Sequence, residues 1–150
     1  ERSVVKLDER KAAARTERWL AVARSAAMQS GQPAVPEVCP PVRLDEACAL
    51  LSGATAVLVC WEEAPGTARL DAALDRAFDG GPAARGSRVA VVVGPEGGLT
   101  EREVEALSTC NPHAELVSLG PSILRTETAG IVAPALVLYE LERRARAGAR

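Results

Sequence analysis

Two short segments of this 150-residue chain place glycines beside polar and ionisable side chains, a combination typical of ligand-binding sites. The first is Gly-Pro-Glu-Gly-Gly-Leu at residues 94–99. Gly94, Gly97 and Gly98 permit positive φ and leave backbone N–H and C=O groups accessible, so the main chain can bind a flat heterocycle such as adenine. The same glycines also suit a plain turn from a strand into a helix, and the segment alone favours neither interpretation. Neither a P-loop nor a Rossmann dinucleotide site is predicted, because Gly-Lys-Ser/Thr and Gly-x-Gly-x-x-Gly are both missing.

The second segment is residues 119–128. It ends in four consecutive polar residues, 125–128, at the start of the last predicted helix. Helix capping explains part of this pattern, because Thr126 or Thr128 can be the N-cap residue and Glu127 complements the helix dipole. Capping does not explain Arg125, since a cation is unfavourable beside the positive end of a helix. Arg125 therefore predicts an anionic partner, which is Glu127, Glu96 or an RNA phosphate.

Both segments follow apolar runs that have the composition of buried strands. We predict strands at residues 56–61, 88–93 and 115–119, alternating with helices at residues 67–78, 100–109 and 129–147. This alternation is typical of an α/β domain with a mainly parallel sheet flanked by helices. Ligands bind such sheets beyond the carboxyl ends of the strands, and both segments leave strands at that end.

Two helices have a recognisable start. Asp8 can cap a helix over residues 9–30, and Thr100 with Glu103 has the spacing of a capping box. A short helix is also predicted over residues 45–51. In the first helix, apolar residues recur at i, i+3, i+4 and i+7 and are expected to face a core. These residues are Trp19, Val22, Ala23 and Ala26.

The composition is that of a globular protein, with 47% hydrophobic and 25% charged residues. No apolar run reaches the roughly 20 residues that a membrane span needs, and no signal pattern opens the chain, so we expect a cytoplasmic protein. Only one histidine is present, and the four cysteines lack the close spacing of zinc ligands. Free thiols and no metal site are therefore predicted.

Charge is unevenly distributed along the chain. Residues 1–24 have a net charge of +3, residues 140–150 of +2, and the intervening residues of −7. Basic ends can contact RNA phosphate, or they can simply be solvated helix faces, and the sequence leaves both interpretations open.

Several motifs occur together in one order. Gly-Pro-Glu-Gly-Gly-Leu at residues 94–99 precedes Leu-Gly at 119–120 and Leu-Arg-Thr-Glu-Thr-Ala at 124–129. Earlier come Glu-Arg-Ser-Val-Val-Lys at residues 1–6, then Gln-Ser-Gly and Val-Pro-Glu-Val at 29–31 and 35–38. Over nearly the whole chain these motifs resemble the bacterial 16S rRNA (uracil-N3)-methyltransferases of the SPOUT superfamily.

The resemblance implies a SPOUT α/β domain over residues 1–150 with a deep trefoil knot near its C-terminal end, a rare exception to the usual fold rules. It implies S-adenosylmethionine as the cofactor, bound in the knot, and a homodimer with active sites near the interface. The implied reaction methylates N3 of one uridine near the decoding site of 16S rRNA, in the assembled small ribosomal subunit. Members of the family also carry an N-terminal PUA-like RNA-binding domain. We expect this domain, and the first strand and helix of the SPOUT domain, to be absent before Glu1.

The same resemblance assigns residues to the two segments. The strand end at residues 59–61 is expected to form a further wall of the pocket. The cofactor-binding residues are expected to be Gly94, Glu96, Gly97, Gly98, Leu119, Gly120, Leu124, Thr126 and Thr128.

Methylation at N3 requires loss of the proton that N3 carries at neutral pH. Arg125 is the candidate for stabilising the resulting anion or a neighbouring phosphate, Glu127 is the candidate base, and Glu96 is the second choice. Two alternatives remain open. One is another SPOUT enzyme that acts on tRNA or on a ribose 2′-hydroxyl, and the other is a non-catalytic dimerisation or RNA-binding module.

Overall fold

The computed structural model describes residues 9–61 and 67–148, which form two compact units. One unit comprises the described residues up to Arg43 and contains helix α1 (Glu9–Gln29). The other unit begins at Leu44 and contains the remaining described helices and strands. Asp8, the predicted cap of α1, lies outside the described residues.

Within the described residues, the larger unit is built on a four-stranded parallel sheet with the strand order β2-β4-β1-β3. Strand β1 lies inside the sheet, where Val57 pairs with Ala90 of β3 and with Ala114 of β4. The sheet confirms the predicted α/β class with a parallel sheet and flanking helices. The elements are α2 (Leu44–Leu51), β1 (Ala56–Cys60), β2 (Ala68–Arg69), α3 (Leu70–Ala77), β3 (Val89–Val93), α4 (Glu101–Thr109), β4 (Ala114–Ser118) and α5 (Thr126–Gly148).

Helices cover both faces of the sheet. Successive side chains of a strand point to opposite faces, so Leu58 packs with α3 and α5 while Val57 and Val59 pack with α4 and α2. All three side chains are fully buried, which explains why β1 is a continuous apolar run rather than an alternating one. Burial of each such side chain contributes roughly 1.5–3 kcal/mol.

Strand β2 was not predicted. Ala68 and Arg69 pair in parallel with Val117 and Ser118 of β4, and α3 begins only at Leu70. The predicted helix over residues 67–78 is therefore too long at its N-terminal end. Two residues carry no periodicity of their own, and their extended conformation depends on the partner strand.

The predicted apolar stripe of α1 is wrong. Trp19 and Val22 are 44% and 62% exposed, and Ala26 is exposed as well. The least exposed positions form a neighbouring row that shares only one residue with the predicted stripe. A shift of one residue rotates the face by about 100°, and in an alanine-rich helix both rows have helical spacing. The observed row is Ala12, Thr16, Leu20, Ala23 and Ala27.

A buried charge network joins α5 to α3. The Arg144 guanidinium is 3% exposed and lies 2.6 Å from Asp75 Oδ1 and 3.0 Å from Glu140 Oε1. It also donates a 3.0 Å hydrogen bond to the carbonyl oxygen of Asp71. Arg143 binds the same Glu140 carboxylate through two nitrogens. Together these contacts fix α5, which also contributes to the site described below. No helix within the described ranges is long and apolar enough to cross a membrane.

Candidate functional site

A cavity of about 170 Å³ lies beyond the carboxyl ends of β1, β3 and β4. Parallel strands end at the same edge of a sheet, so the loops that follow them meet there. The end of β1 forms one wall of the cavity, and the β3–α4 loop forms a second wall. The β4–α5 loop and the first turn of α5 form the rest. The lining residues are Cys60, Trp61, Val93, Gly94, Pro95, Gly98, Leu99, Val117, Ser118, Leu119, Gly120, Pro121, Ser122, Ile123, Leu124, Thr126 and Ala129.

The β3–α4 loop needs glycine at two positions for different reasons. Gly98 has φ 71°, and its N–H donates a 2.8 Å hydrogen bond to the carbonyl oxygen of Pro95. A Cβ at Gly94 would lie 3.1 Å from Cγ of Leu99, so any larger residue would force Leu99 to shift from its place against the end of β3. The Thr100–Glu103 capping box is present as predicted and fixes the start of α4 immediately after this loop.

The β4–α5 loop turns at Gly120. Ser118 Oγ donates a 2.9 Å hydrogen bond to the carbonyl oxygen of Gly120, and the Gly120 N–H donates to Ser118 Oγ at 3.2 Å. Gly120 has φ 142°, and a Cβ there would meet no atom within 4 Å. Gly120 thus lines the cavity while its N–H and C=O both bond to the Ser118 hydroxyl.

Thr126 connects the two loops. Helix α5 begins at this residue, and the Ala129 N–H donates a helical hydrogen bond to the carbonyl oxygen of Arg125. The Thr126 hydroxyl donates a 3.1 Å hydrogen bond to the carbonyl oxygen of Gly94 instead of capping its own helix. The side chain predicted as a cap or a ligand-binding group thus joins the start of α5 to the end of β3.

Six predicted cofactor-binding residues line the cavity and three do not. Glu96 and Gly97 are exposed in the turn of the β3–α4 loop, and Thr128 is exposed in the first turn of α5. The lining residues among the predicted set are Gly94, Gly98, Leu119, Gly120, Leu124 and Thr126.

The predicted catalytic residues lie outside the cavity wall. Arg125 and Glu127 are exposed, and each is adjacent in sequence to Thr126, which does line the cavity. Glu96 is exposed beside Pro95, another lining residue. The structure thus places the three ionisable groups next to lining residues of both loops, while none of them is part of the lining.

Most of the remaining lining residues were not predicted. Val93, Val117 and Ser118 occupy the last positions of β3 and β4, and the strand order that makes these ends adjacent was the missing information. Pro121, Ser122 and Ile123 lie in a loop without periodicity. Cys60 and Trp61, expected as a further wall, do line the cavity.

The cavity lining within the described residues has no charged side chain. Its walls are aliphatic, apart from the Cys60 thiol, the Trp61 indole, two serines, Thr126 and main-chain groups. The indole Nε1 of Trp61 is buried and has no hydrogen-bond partner among residues 9–61 and 67–148. Across the described ranges, no three His, Cys, Asp or Glu side chains are grouped as metal ligands. Such a cavity suits a flat, uncharged ring whose faces contact the aliphatic walls and whose polar edges can form hydrogen bonds.

Comparison with known proteins gives the family. Residues 1–138 match the model of the RNA methyltransferase domain. The chain belongs to this family. It is 38% identical over 141 residues to ribosomal RNA small subunit methyltransferase E of Bacillus subtilis, a match that covers 94% of the chain and 53% of the relative.

Two solved structures are similar to this chain. A methyltransferase from Legionella pneumophila in complex with S-adenosylmethionine has a TM-score of 0.70 and 31% identity, covering 91% of the chain and 50% of that protein. Ribosomal RNA small subunit methyltransferase E from Neisseria gonorrhoeae, bound to S-adenosylmethionine, has a TM-score of 0.67 and 30% identity, covering 92% and 52%. The chain spans about half the length of these relatives.

Proposed function

We propose that this chain carries the S-adenosylmethionine-binding catalytic site of a small-subunit rRNA methyltransferase. The product is N3-methyluridine, formed near the decoding site of 16S rRNA in the assembled small subunit, and the activity is cytoplasmic. The observation that carries the proposal is the uncharged cavity between the β3–α4 and β4–α5 loops. Two similar proteins of known structure are complexes with S-adenosylmethionine, and the B. subtilis relative is an rRNA methyltransferase by name.

The residues present suit this cofactor. Adenine is a flat ring with polar edges, and the cavity offers aliphatic walls at Leu99, Leu119 and Leu124 beside Gly98 and Gly120, which have no side chain to fill it. An adenine needs no charged partner, which agrees with the uncharged lining. Gly94, Gly98, Leu119, Gly120, Leu124 and Thr126 are the proposed cofactor-binding residues. Glu96, Gly97 and Thr128 belong to the rim.

The proposed chemistry is transfer of a methyl group to a nitrogen that must first lose its proton. S-adenosylmethionine supplies an electrophilic sulfonium methyl group. Glu127 accepts the N3 proton of uridine, with Glu96 as the second candidate, and Arg125 stabilises the negative charge that develops on the uracil ring. Their exposed positions beside lining residues leave them accessible to an RNA that approaches the cavity from solvent.

We further propose that the active protein is a homodimer formed through α5. Its buried row is Ala129, Ala133, Val137, Glu140 and Arg144. Ile131 and Leu138 are seven residues apart on another face and are 74% and 68% exposed, so a partner helix could cover both side chains. Substituting both with glutamate should convert a dimer into a monomer in light scattering, whereas a wild-type chain that is monomeric at micromolar concentration would refute this assignment.

The SPOUT fold with its C-terminal trefoil knot is part of the same proposal. It is supported by the family resemblance and by the parallel sheet whose last loops surround the cavity. A crystal structure of the chain with S-adenosylmethionine tests it, because a backbone that can be pulled straight from both ends would exclude the knot.

The cofactor assignment is tested by calorimetric titration with S-adenosylmethionine, ATP and NAD. Selective binding of S-adenosylmethionine is the expected result. Equal binding of ATP would indicate a general adenine site, and a folded chain that binds none of the three contradicts the proposal.

The reaction is tested with small-subunit rRNA and labelled S-adenosylmethionine, followed by mass spectrometry of the nucleosides. N3-methyluridine is expected. A methylated ribose, or label in tRNA only, would instead support another SPOUT specificity. Cofactor binding without methyl transfer to any RNA would favour a non-catalytic module.

A further inference from the structure

Helix α1 has a charge opposite to that of the rest of the chain. Residues 9–29 contain five basic and two acidic side chains, a net charge of +3. Residues 30–148 contain ten basic and sixteen acidic side chains, a net charge of −6. An anionic partner of the whole chain is therefore attracted most strongly to this helix.

The basic side chains of α1 include a contiguous surface. Lys11, Arg15 and Arg18 are spaced i, i+4 and i+7, so they share one face of the helix, and all three are exposed. These three residues are termed the basic face. Within residues 9–61 and 67–148, no salt bridge ties Arg15 or Arg18 to an acidic side chain. The two guanidinium groups are therefore available to a ligand.

Exposed apolar side chains accompany the basic face. Val22 continues it by one turn and is 62% exposed, and the Trp19 indole beside it is 44% exposed. The row of least exposed α1 residues lies on a different side of the helix, so packing of α1 does not explain this exposure. Guanidinium groups beside an accessible aromatic ring are suited to phosphates and unstacked bases.

We infer that the basic face of α1 binds the phosphate backbone of the RNA substrate. The inference rests on the proposed function for the identity of the RNA, and it adds a contact surface in the unit that does not contain the cavity. RNA is preferred over an acidic protein surface because its phosphates can pair with the arginines while an unstacked base stacks on the exposed Trp19.

The test compares two double variants that remove the same charge from different faces of one helix. Arg15→Gln with Arg18→Gln removes two side chains of the basic face. Arg10→Gln with Arg24→Gln is the matched control, because these exposed residues lie about 130° around the helix from that face. Glutamine favours helix formation, so the fold of α1 is retained. Binding of fluorescent small-subunit rRNA to the full chain is measured against KCl concentration.

The variant of the basic face should bind RNA roughly tenfold more weakly at 50 mM salt, with the slope of log K against log[salt] smaller in magnitude by about 1.4. The control variant should change the slope by less than half that amount. Equal effects of the two variants, an unchanged slope, or no RNA binding by the wild-type chain would each overturn the inference. Displacement of the RNA by polyglutamate as effectively as by polyuridylate would overturn it in favour of an acidic protein.

Calorimetric titration of the same samples with S-adenosylmethionine keeps this result separate from the proposed function. Loss of RNA binding with unchanged cofactor affinity concerns only α1. Failure of the wild-type chain to bind the cofactor, with the slope change still present, would refute the proposed cofactor site and leave α1 as an RNA-binding surface.

Discussion

The hydroxyl of Thr126 donates a 3.1 Å hydrogen bond to the carbonyl oxygen of Gly94, 32 residues earlier in the chain. Gly94 follows β3 and Thr126 begins α5, and both residues line the cavity. The bond thus couples the two loops that form most of the cavity wall, so a change in either loop should alter cofactor binding through the other.

Thr126→Val should weaken binding of S-adenosylmethionine by roughly two- to tenfold, the effect of losing one hydrogen bond worth about 0.5–1.5 kcal/mol. Valine retains the shape of threonine but leaves the Gly94 carbonyl oxygen unpaired. Thr126→Ser retains the hydroxyl and should bind nearly as well as wild type. Calorimetric titration makes the comparison, and equal losses in the two variants would show that the methyl group, rather than the hydrogen bond, matters.

Gly94→Ala should lower the free energy of unfolding by about 1–3 kcal/mol and weaken cofactor binding, because the new Cβ would press against Leu99. Gly130→Ala is the matched control, since a Cβ there meets no atom within 4 Å and alanine favours the helix by about 1 kcal/mol. Urea denaturation measures both variants. A Gly94→Ala variant as stable as wild type would refute the close-packing explanation of this glycine.

Arg125→Ala should reduce the single-turnover rate of methyl transfer by roughly 10²-fold, as expected when a group that stabilises developing charge is removed. Cofactor affinity should stay the same, because Arg125 does not line the cavity. Rapid-quench measurements under saturating cofactor and RNA separate the two effects. An unchanged rate would exclude Arg125 from the chemical step.

Glu127→Gln should lower the single-turnover rate of methyl transfer by roughly 10²- to 10⁴-fold, because glutamine retains the size of glutamate but cannot accept the N3 proton. Glu96→Gln is assayed in parallel. If only the Glu96 variant loses the rate, the base is Glu96.

The network around Glu140 should make stability sensitive to acid. The hydrogen bonds from Arg143, with further stabilisation from Arg144, lower the pKa of Glu140 in the folded chain. The unfolded chain therefore binds this proton first as pH falls below about 4.3, and the stabilisation is lost progressively from there down through the lowered folded pKa. Glu140→Gln should lose this part of the pH dependence when urea denaturation is followed from pH 7 to pH 3.

Arg144→Met, measured at pH 7, should destabilise the chain by about 1.5–3 kcal/mol, because Glu140 keeps its two hydrogen bonds from Arg143 but loses its contact with Arg144. A loss below about 1 kcal/mol would show that Arg143 alone satisfies the carboxylate.

Features with a local cause were predictable from the sequence. Thr100 and Glu103 form their capping box within four residues. The continuous apolar run of β1 indicates a strand buried on both faces, whichever strands pair with it. The two glycine and polar segments were placed at the correct edge of the sheet because parallel strands have only one carboxyl edge.

Features that depend on a distant partner could not be predicted. The extended conformation of Ala68 exists through its pairing with Val117, and the role of Thr126 depends on a carbonyl group in another loop. The face of α1 was misjudged for a related reason, since two neighbouring rows had the same spacing and only the folded structure separates them.

The strand order also determines when the site can form during synthesis. Among the described residues, the partners of β1 are β3 and β4, and both follow it in the chain, so these two pairings form only after β3 and β4 have been made. A nascent chain that ends at His113 contains the β3–α4 loop but lacks β4 and the β4–α5 loop. It also lacks Thr126, whose hydroxyl donates the hydrogen bond to the carbonyl oxygen of Gly94. Such late, non-local pairing is slow, so we expect cofactor binding to appear only after the first turn of α5 has been released.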